Sequence, residues 1–427
     1  MQREKPENAL VFAKRMLLLL LLSLAVMQPA IQVLGFAVVA TDFIFIACLL
    51  ALLCALITGQ STFRWQNAYW LLGFYLAALV VSGLASDHPR GSIPKLLTQV
   101  YLLSLPVLIC NLIQTREDLR AAFEWWLAGT ALVAAVAIAS LFAFMEDPNS
   151  RLLDYTRSHY GTLPPGDYLR LRLTFLNANM ACNYLTVSVM LLLIARKLRW
   201  IGKANFLLLL AGILLSAVLT ISPGLGGLAL AVSTWIWFLQ RGPSPLLANL
   251  SLVVGLAVAL MFVGAMSVTP IIHPTAPFLL NLPILDVQLA PSGRLMIWIE
   301  ATRNFLADPF FGRGIGAEAA HVRFQDPSGD ILTTTDAHNT FLSIAVQSGI
   351  IGLGAIIAII VHVHRRAIAA ALPTEESDVF RVGLSVAFLV AFAYGGLGGS
   401  FEDARHLWAT LGLFLAAERI HRVSPRP

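Results

Sequence analysis

The sequence predicts an all-α integral membrane protein with about twelve transmembrane helices and one long loop on a single side. Three observations predict it. Of 427 residues, 58% are hydrophobic and only 12% are charged, about half the charged share of a soluble domain. The mean hydropathy is +0.76. Apolar runs of roughly 20 residues recur from end to end, the length a helix needs to satisfy its own backbone across a bilayer without water. One polytopic domain over 1–427 follows, with 269–336 as a large loop within it.

The N-terminal "MQREKPENALVFAKRMLLLLLLSLAVMQPA" joins a basic flank to an apolar run. A signal peptide needs a small-x-small cleavage site, and "AVMQPAIQVLGFAVV" offers none and stays hydrophobic, so the run is read as a retained first span. Spans are expected near 16–31, 36–57, 66–84, 96–113, 122–144, 174–195, 204–220, 225–240, 246–268, 337–361, 379–398 and 404–419. "SPGLGG" at 222–227 divides the seventh from the eighth by a very short turn, because Pro and Gly interrupt a helix. Merging those two leaves eleven.

With the N-terminus in the cytoplasm, 18 of the 29 Lys and Arg residues fall inside, the bias that orients membrane proteins. An even number of spans puts the C-terminus inside as well. Of the eleven outer cations, ten are arginine and one is Lys95. Nearly all of them lie in 145–173, 269–336 and the 398–405 turn. A guanidinium fork suits bidentate phosphate or carboxylate, whereas an ammonium is a point charge. Any one of these arginines reads as an ordinary loop solubiliser; the group reads as equipment for an anionic ligand. Cys48, Cys54, Cys110 and Cys182 lie in apolar segments without a CxxC pair, so neither a disulfide nor a zinc site is expected.

The loop of about 67 residues between the ninth and tenth spans is long enough to suggest function. Within it, Ser292 is placed to cap "GRLMIWIEATRNFLA", where Leu295, Trp298, Ile299, Thr302, Phe305 and Leu306 share a face. That pattern suits a helix at the membrane surface. "DPFFGRGIG" then breaks it.

Three constellations carry candidate chemistry. In "DAHNTFLSIAVQSGIIGLG", residues 336–354, Asp336 is a good cap and places His338 in the first helical turn. His338, Leu342, Ala345, Gly349 and Gly352 then share one face. Gly349 and Gly352 suit close helix packing into the bundle, and His338 points to its outer mouth. The positive end of the helix disfavours an imidazolium, and a neutral imidazole is what a general base requires. The alternative is an interfacial histidine with a structural hydrogen bond. In "GDYLRLRLTFLNANMACNYL", Arg170 and Arg172 precede the sixth span, followed by Asn177, Asn179 and Asn183. Such amides are costly in a membrane unless paired or facing a wet cavity; the alternative for the arginines is snorkelling at a helix end. In "PSGRLMIW", Arg294 sits at a helix start, an unfavourable place for a cation unless an anion binds there. Arg303, Arg313, Arg323, Glu402 and Asp403 are weaker candidates. There is no outer Asp-x-Asp, Walker loop, GxSxG or HExxH, so no metal, cofactor or nucleic acid is expected.

These residues resemble the O-antigen ligase and polymerase superfamily of bacterial envelope glycosyltransferases. Its ligase signature is His, then Asn, Ser or Gln, nine residues, Gly, two residues and a Gly or similar residue. His338-Asn339, Thr340 to Ser348, Gly349, Ile350-Ile351 and Gly352 fit it throughout. Arg172 and Leu176 match an Arg-x3-Leu, and the Ser292 to Gly316 run resembles the block in the family's long loop. These motifs cover about 60 residues. The resemblance implies a GT-C-like fold with a long periplasmic loop containing short helices. It implies a bacterial inner-membrane enzyme with a periplasmic site that moves O-antigen glycan from undecaprenyl diphosphate to a sugar hydroxyl of lipid A-core. By the same resemblance His338 is the base, Arg172 and Arg294 hold the diphosphate with Arg170 beside them, and Asn339 orients His338 or binds sugar. One displacement at the anomeric carbon inverts it.

An O-antigen polymerase is the alternative within the superfamily, followed by a protein O-oligosaccharyltransferase, which is usually longer. From another class comes a lipid-linked oligosaccharide transporter, which should carry ionisable groups near mid-membrane and often repeated halves. Here charges cluster at span ends, apart from Asp42 and Glu124, and no internal repeat is visible.

Overall fold

In the structure, a computed structural model, residues 8–33, 36–86, 89–158, 169–270, 280–282, 287–291, 293–325, 331–370 and 376–423 are described. Among them are fourteen α-helices: α1 (Ala9–Ser23), α2 (Ala40–Ile57), α3 (Ala68–Leu84), α4 (Pro89–Leu112), α5 (Arg116–Glu146), α6 (Arg151–Thr156), α7 (Ala178–Lys197), α8 (Lys203–Leu219), α9 (Gly224–Gln240), α10 (Pro245–Ser267), α11 (Gly293–Ala307), α12 (Thr340–Ala370), α13 (Glu376–Leu389) and α14 (Arg405–Val423). After α13 the chain widens into a π-helical turn at Val390–Tyr394 and tightens into a 3-10 turn at Gly395–Leu397.

Seven described stretches are long and apolar enough to cross a membrane: Ala40–Ile57, Gly91–Leu112, Arg116–Glu146, Ala178–Lys197, Pro245–Met266, Thr340–Ala369 and Val379–Leu397. This is a multi-pass helical membrane protein. Helices α3, α8 and α9 are apolar but shorter. The short turn at 222–227 does separate α8 from α9. Two expectations change. The first helix runs Ala9–Ser23, ending well before the expected limit, because Gln28-Pro29 interrupts the run and a β1 (Ile31–Val33) to β2 (Phe36–Val38) hairpin follows. Nor is the chain purely helical: β3 (Val268–Pro270), β4 (Leu280–Leu282) and β5 (Val287–Pro291) form a small antiparallel sheet ordered β3-β5-β4 in the long loop. β6 (Val322–Gln325) and β7 (Ile331–Thr334) make a hairpin just before α12. Ser292 lies outside the described residues.

Helix α7 is the centre of the bundle, buried along nearly its whole length. Burial on all sides leaves its polar groups no partner but protein. Ser188 accepts from Trp126 Nε1 at 3.0 Å, and Thr130 Oγ1 lies 3.1 Å from Tyr184 Oη. Asn183 donates to the Ala391 carbonyl at 2.6 Å, a carbonyl in the π-helical turn where the regular ladder is interrupted. The two charges that stood apart in the sequence, Asp42 and Glu124, are both paired. Asp42, at the start of α2, takes a two-pronged contact from Arg405 Nε and Nη2, both 2.9 Å, at the start of α14. Glu124 accepts from Arg120 one turn earlier at 2.8 Å. All four cysteines are free thiols.

Candidate active site

Helix α12 starts later than its sequence suggests. Asn339, not Asp336, caps it: Asn339 Oδ1 accepts from Phe341 N at 3.0 Å and Leu342 N at 3.1 Å, as a capping amide does. Asp336 instead accepts from His338 N at 2.9 Å, forming a tight turn outside the helix. His338 is therefore not in the first helical turn. It has φ +46°, a left-handed conformation that costs a residue with a Cβ roughly 1–2 kcal/mol. Asn339 is buried and its carbonyl oxygen is committed to the cap.

The His338 side chain keeps 40% of its surface exposed. Nδ1 faces Asp336 Oδ2 at 3.8 Å, an electrostatic rather than a hydrogen-bonding distance. Nε2 has no partner among the described residues. Partial burial lowers the pKa of the imidazole from its usual 6.5; Asp336 opposes that shift and Arg294 adds to it. Arg294, at the start of α11, is half-buried and makes no hydrogen bond or ion pair among the described residues. The structure thus brings Arg294 to His338.

It brings α11 there by packing Ile297 and Ala301 inward. Ala301 joins Ala319, Ala337 and Val346 in a small core, with Phe305 and Leu342 against it. Ile299 and Leu306, on the expected face, are exposed.

Gly349 and Gly352 do not pack helix on helix. Gly349 has φ +64° and breaks α12. The bond that Ile350 N would give Val346 O in an unbroken helix is opened, and both halves are taken by the loop: Ile350 N donates to Pro309 O and Val346 O accepts from Arg313 N, each at 2.8 Å. A Cβ on Gly349 would collide with the Phe310 carbonyl, and Gly352 lies over Ser348 of its own helix. Gly312, with φ +69°, lets the loop come this close; a Cβ there would sit 2.6 Å from the Gln347–Ser348 peptide. The glycine spacing is a seat for "DPFFGRGIG".

Arg170 and Arg172 belong to a second cluster. Residues 156–158 pair with 170–172 through Arg172 N to Thr156 O and Ser158 N to Arg170 O, both 2.8 Å. Arg170 is buried and donates to Thr220 O at 3.1 Å and Asn179 Oδ1 at 3.4 Å. Half-buried Arg172 donates to Tyr155 O at 3.0 Å and Asp154 O at 3.1 Å. Asn177 caps α7 through Met180 N at 2.8 Å. Among the described residues no hydrogen bond or ion pair joins either arginine to His338 or Arg294. A small crevice between them is lined by Asn179, Asn183, Ser222, Gly398 and Phe401 among others, and by neither arginine nor His338; Thr340 beside Asn339 binds Gly399 O and Phe401 N at 2.9 and 2.7 Å.

Ser343 and Gln347, which the sequence did not single out, continue from Asn339 as a polar ladder. Asn339, Ser343 and Gln347 stand four residues apart on an apolar helix and are all buried. Ser343 donates to Glu402, and Lys95 and Gln99 of α4 bind Asp403. The four-residue spacing was the available signal. Among the described residues no group of three or more His, Cys, Asp or Glu side chains is placed to hold a metal ion.

Fold and site define a class: a multi-pass membrane protein with a half-exposed histidine at one helix lip, beside an arginine that has no hydrogen bond or ion pair among the described residues. Residues 204–357 match a family model described as O-Antigen ligase. That segment holds Arg294, His338, Asn339, Gly349 and Gly352, and the match supports the O-antigen ligase/polymerase superfamily. Arg170 and Arg172 lie outside the match. No curated protein matches the chain.

Proposed function

We propose that the protein is a lipopolysaccharide O-antigen ligase of the bacterial inner membrane, working on the periplasmic side. It moves glycan from undecaprenyl diphosphate to a sugar hydroxyl of lipid A-core. The observation that carries this reading is the pairing of Arg294 with His338 at the lip of α12, inside the matched segment. Loss of water disfavours the imidazolium and Arg294 adds to that, so His338 stays a base; the same cation is suited to a diphosphate.

In this mechanism the acceptor hydroxyl gives its proton to His338 Nε2 as its oxygen attacks the anomeric carbon. The bond from that carbon to the diphosphate oxygen breaks, and undecaprenyl diphosphate leaves with the electron pair. Asp336, 3.8 Å from Nδ1, stabilises the imidazolium that forms. Arg294 neutralises the charge growing on the leaving group. Arg172 and Arg170, just before α7, hold another part of the donor. One displacement inverts the anomeric carbon, and no metal takes part.

Purified protein with lipid-linked glycan and rough lipopolysaccharide, in EDTA, tests the reading. Glycosylated lipid A-core is the expected product. Product only when a second lipid-linked glycan replaces lipid A-core makes the protein a polymerase; dependence on a divalent ion overturns the metal-free step.

A further inference from the structure

Behind the lip of α12, polar side chains run from a buried carboxylate to the docked loop. Glu402, in the turn before α14, is 3% exposed. One of its oxygens accepts from Ser343 Oγ, and the other is buried with no hydrogen-bond partner among the described residues. Ser343 Oγ accepts in turn from Gln347 Nε2 at 2.8 Å. Gln347 Oε1 accepts from Gly316 N at 2.9 Å, at the end of the segment that Pro309 and Arg313 fasten into the break of α12. Four groups face the carboxylate: Ser343 from α12, Lys95 from α4, Tyr75 from α3 and Asp403 beside it. Asp336 reaches this cluster through Lys95.

The direction of the bond between Ser343 and the carboxylate depends on Glu402, whereas Gly316 N can only donate to Gln347. An ionised carboxylate can only accept, so the single hydroxyl proton of Ser343 must point to it. The lone pairs of Ser343 then receive Gln347 Nε2, and the amide oxygen is left facing Gly316 N. A protonated Glu402 carries a donor of its own, which competes with Gln347 for Ser343 Oγ. It also loses charge assistance, which roughly doubles such a bond's strength. Burial raises the Glu402 carboxyl to about 7; Lys95 opposes that shift and Asp403 adds to it.

We infer that Glu402 is a positioning residue whose carboxylate, through Ser343 and Gln347, holds loop residues 309–316 in the break of α12, and whose protonation loosens them. The docking role stands independently of the glycan-transfer reading; its effect on turnover rests on that reading.

Hydrogen–deuterium exchange of the full chain in detergent tests it between pH 5.5 and 8.5, corrected for the intrinsic pH dependence of exchange. In the wild type, protection of peptides covering 309–316 and 340–350 is expected to rise about fivefold to tenfold with an inflection near pH 7, the size of losing charge assistance on one bond. Glu402→Gln should hold the low-pH level throughout, and Ser343→Ala, which leaves the acid in place, should also be flat. A flat wild-type profile overturns the inference, as does the same inflection in Glu402→Gln or in Ser343→Ala. An inflection lost in both variants, in a protein that transfers glycan to neither acceptor, supports the positioning role and removes the catalytic reading instead.

Discussion

At His338 two opposing fields meet on one ring. The loss of water and, to a smaller extent, Arg294 push the proton off, while Asp336 draws it on. Removing each neighbour should therefore move the titration in opposite directions. Histidine NMR in detergent is expected to give His338 a pKa below 6.5 in the wild type, a higher value in Arg294→Gln and a lower one in Asp336→Asn. In the proposed reaction the neutral ring is the reactive form, so the acid limb of kcat/KM due to His338 lies below pH 6.5. His338→Ala should cost about 10²–10⁴-fold in transfer, the range for a general base, with the bundle intact by thermal unfolding. Full activity in that variant removes the base assignment. The sequence already marked His338 and its spacing to Gly349, and it named Arg294. It could not reveal the left-handed backbone at His338, because that depends on Asp336 taking the His338 amide before Asn339 caps the helix.

Helix α12 has a polar start, a buried ladder and a break. Removing the cap by Asn339→Ala should lower stability by about 1 kcal/mol in a melt, and Asn339→Asp should retain it. If transfer falls equally in both, Asn339 touches substrate as well as capping. At the break, Gly349→Ala meets both an unfavourable φ and the Phe310 carbonyl. The helix escapes by closing its own Ile350-to-Val346 bond, which expels the loop. Limited proteolysis should then cut within 309–316 faster in Gly349→Ala than in the wild type; equal rates would mean the break survives without glycine. Helical periodicity shows why this was hidden. A glycine on a membrane helix ordinarily signals a neighbouring helix, and nothing local tells that the neighbour is a loop about 35 residues upstream. The twelve predicted runs each overlap a helix, since apolar length is a local property. The first boundary slipped because a hydrophobic run and a helix can end at different residues.

Across the whole molecule, the contact from Arg405 to Asp42 closes the bundle, joining the second helix to the last. Both side chains are less than one fifth exposed, so removing one leaves a charge with little water. Breaking such a pair costs more than replacing both members with apolar groups. Asp42→Asn and Arg405→Met are each expected to lower the melting temperature in detergent further than Asp42→Leu combined with Arg405→Met; a double variant less stable than either single one would contradict this. The same long-range organisation has a consequence for the loop. Segment 309–316 is fastened to α12 by backbone groups at Pro309, Arg313 and Gly316, while Phe310, Phe311 and Arg313 keep exposed side chains. Apart from its positive-φ glycines, the attachment places no demand on the identity of those side chains. Relatives can therefore exchange the outward-facing residues of this segment, and alter what it meets, without rebuilding its anchorage.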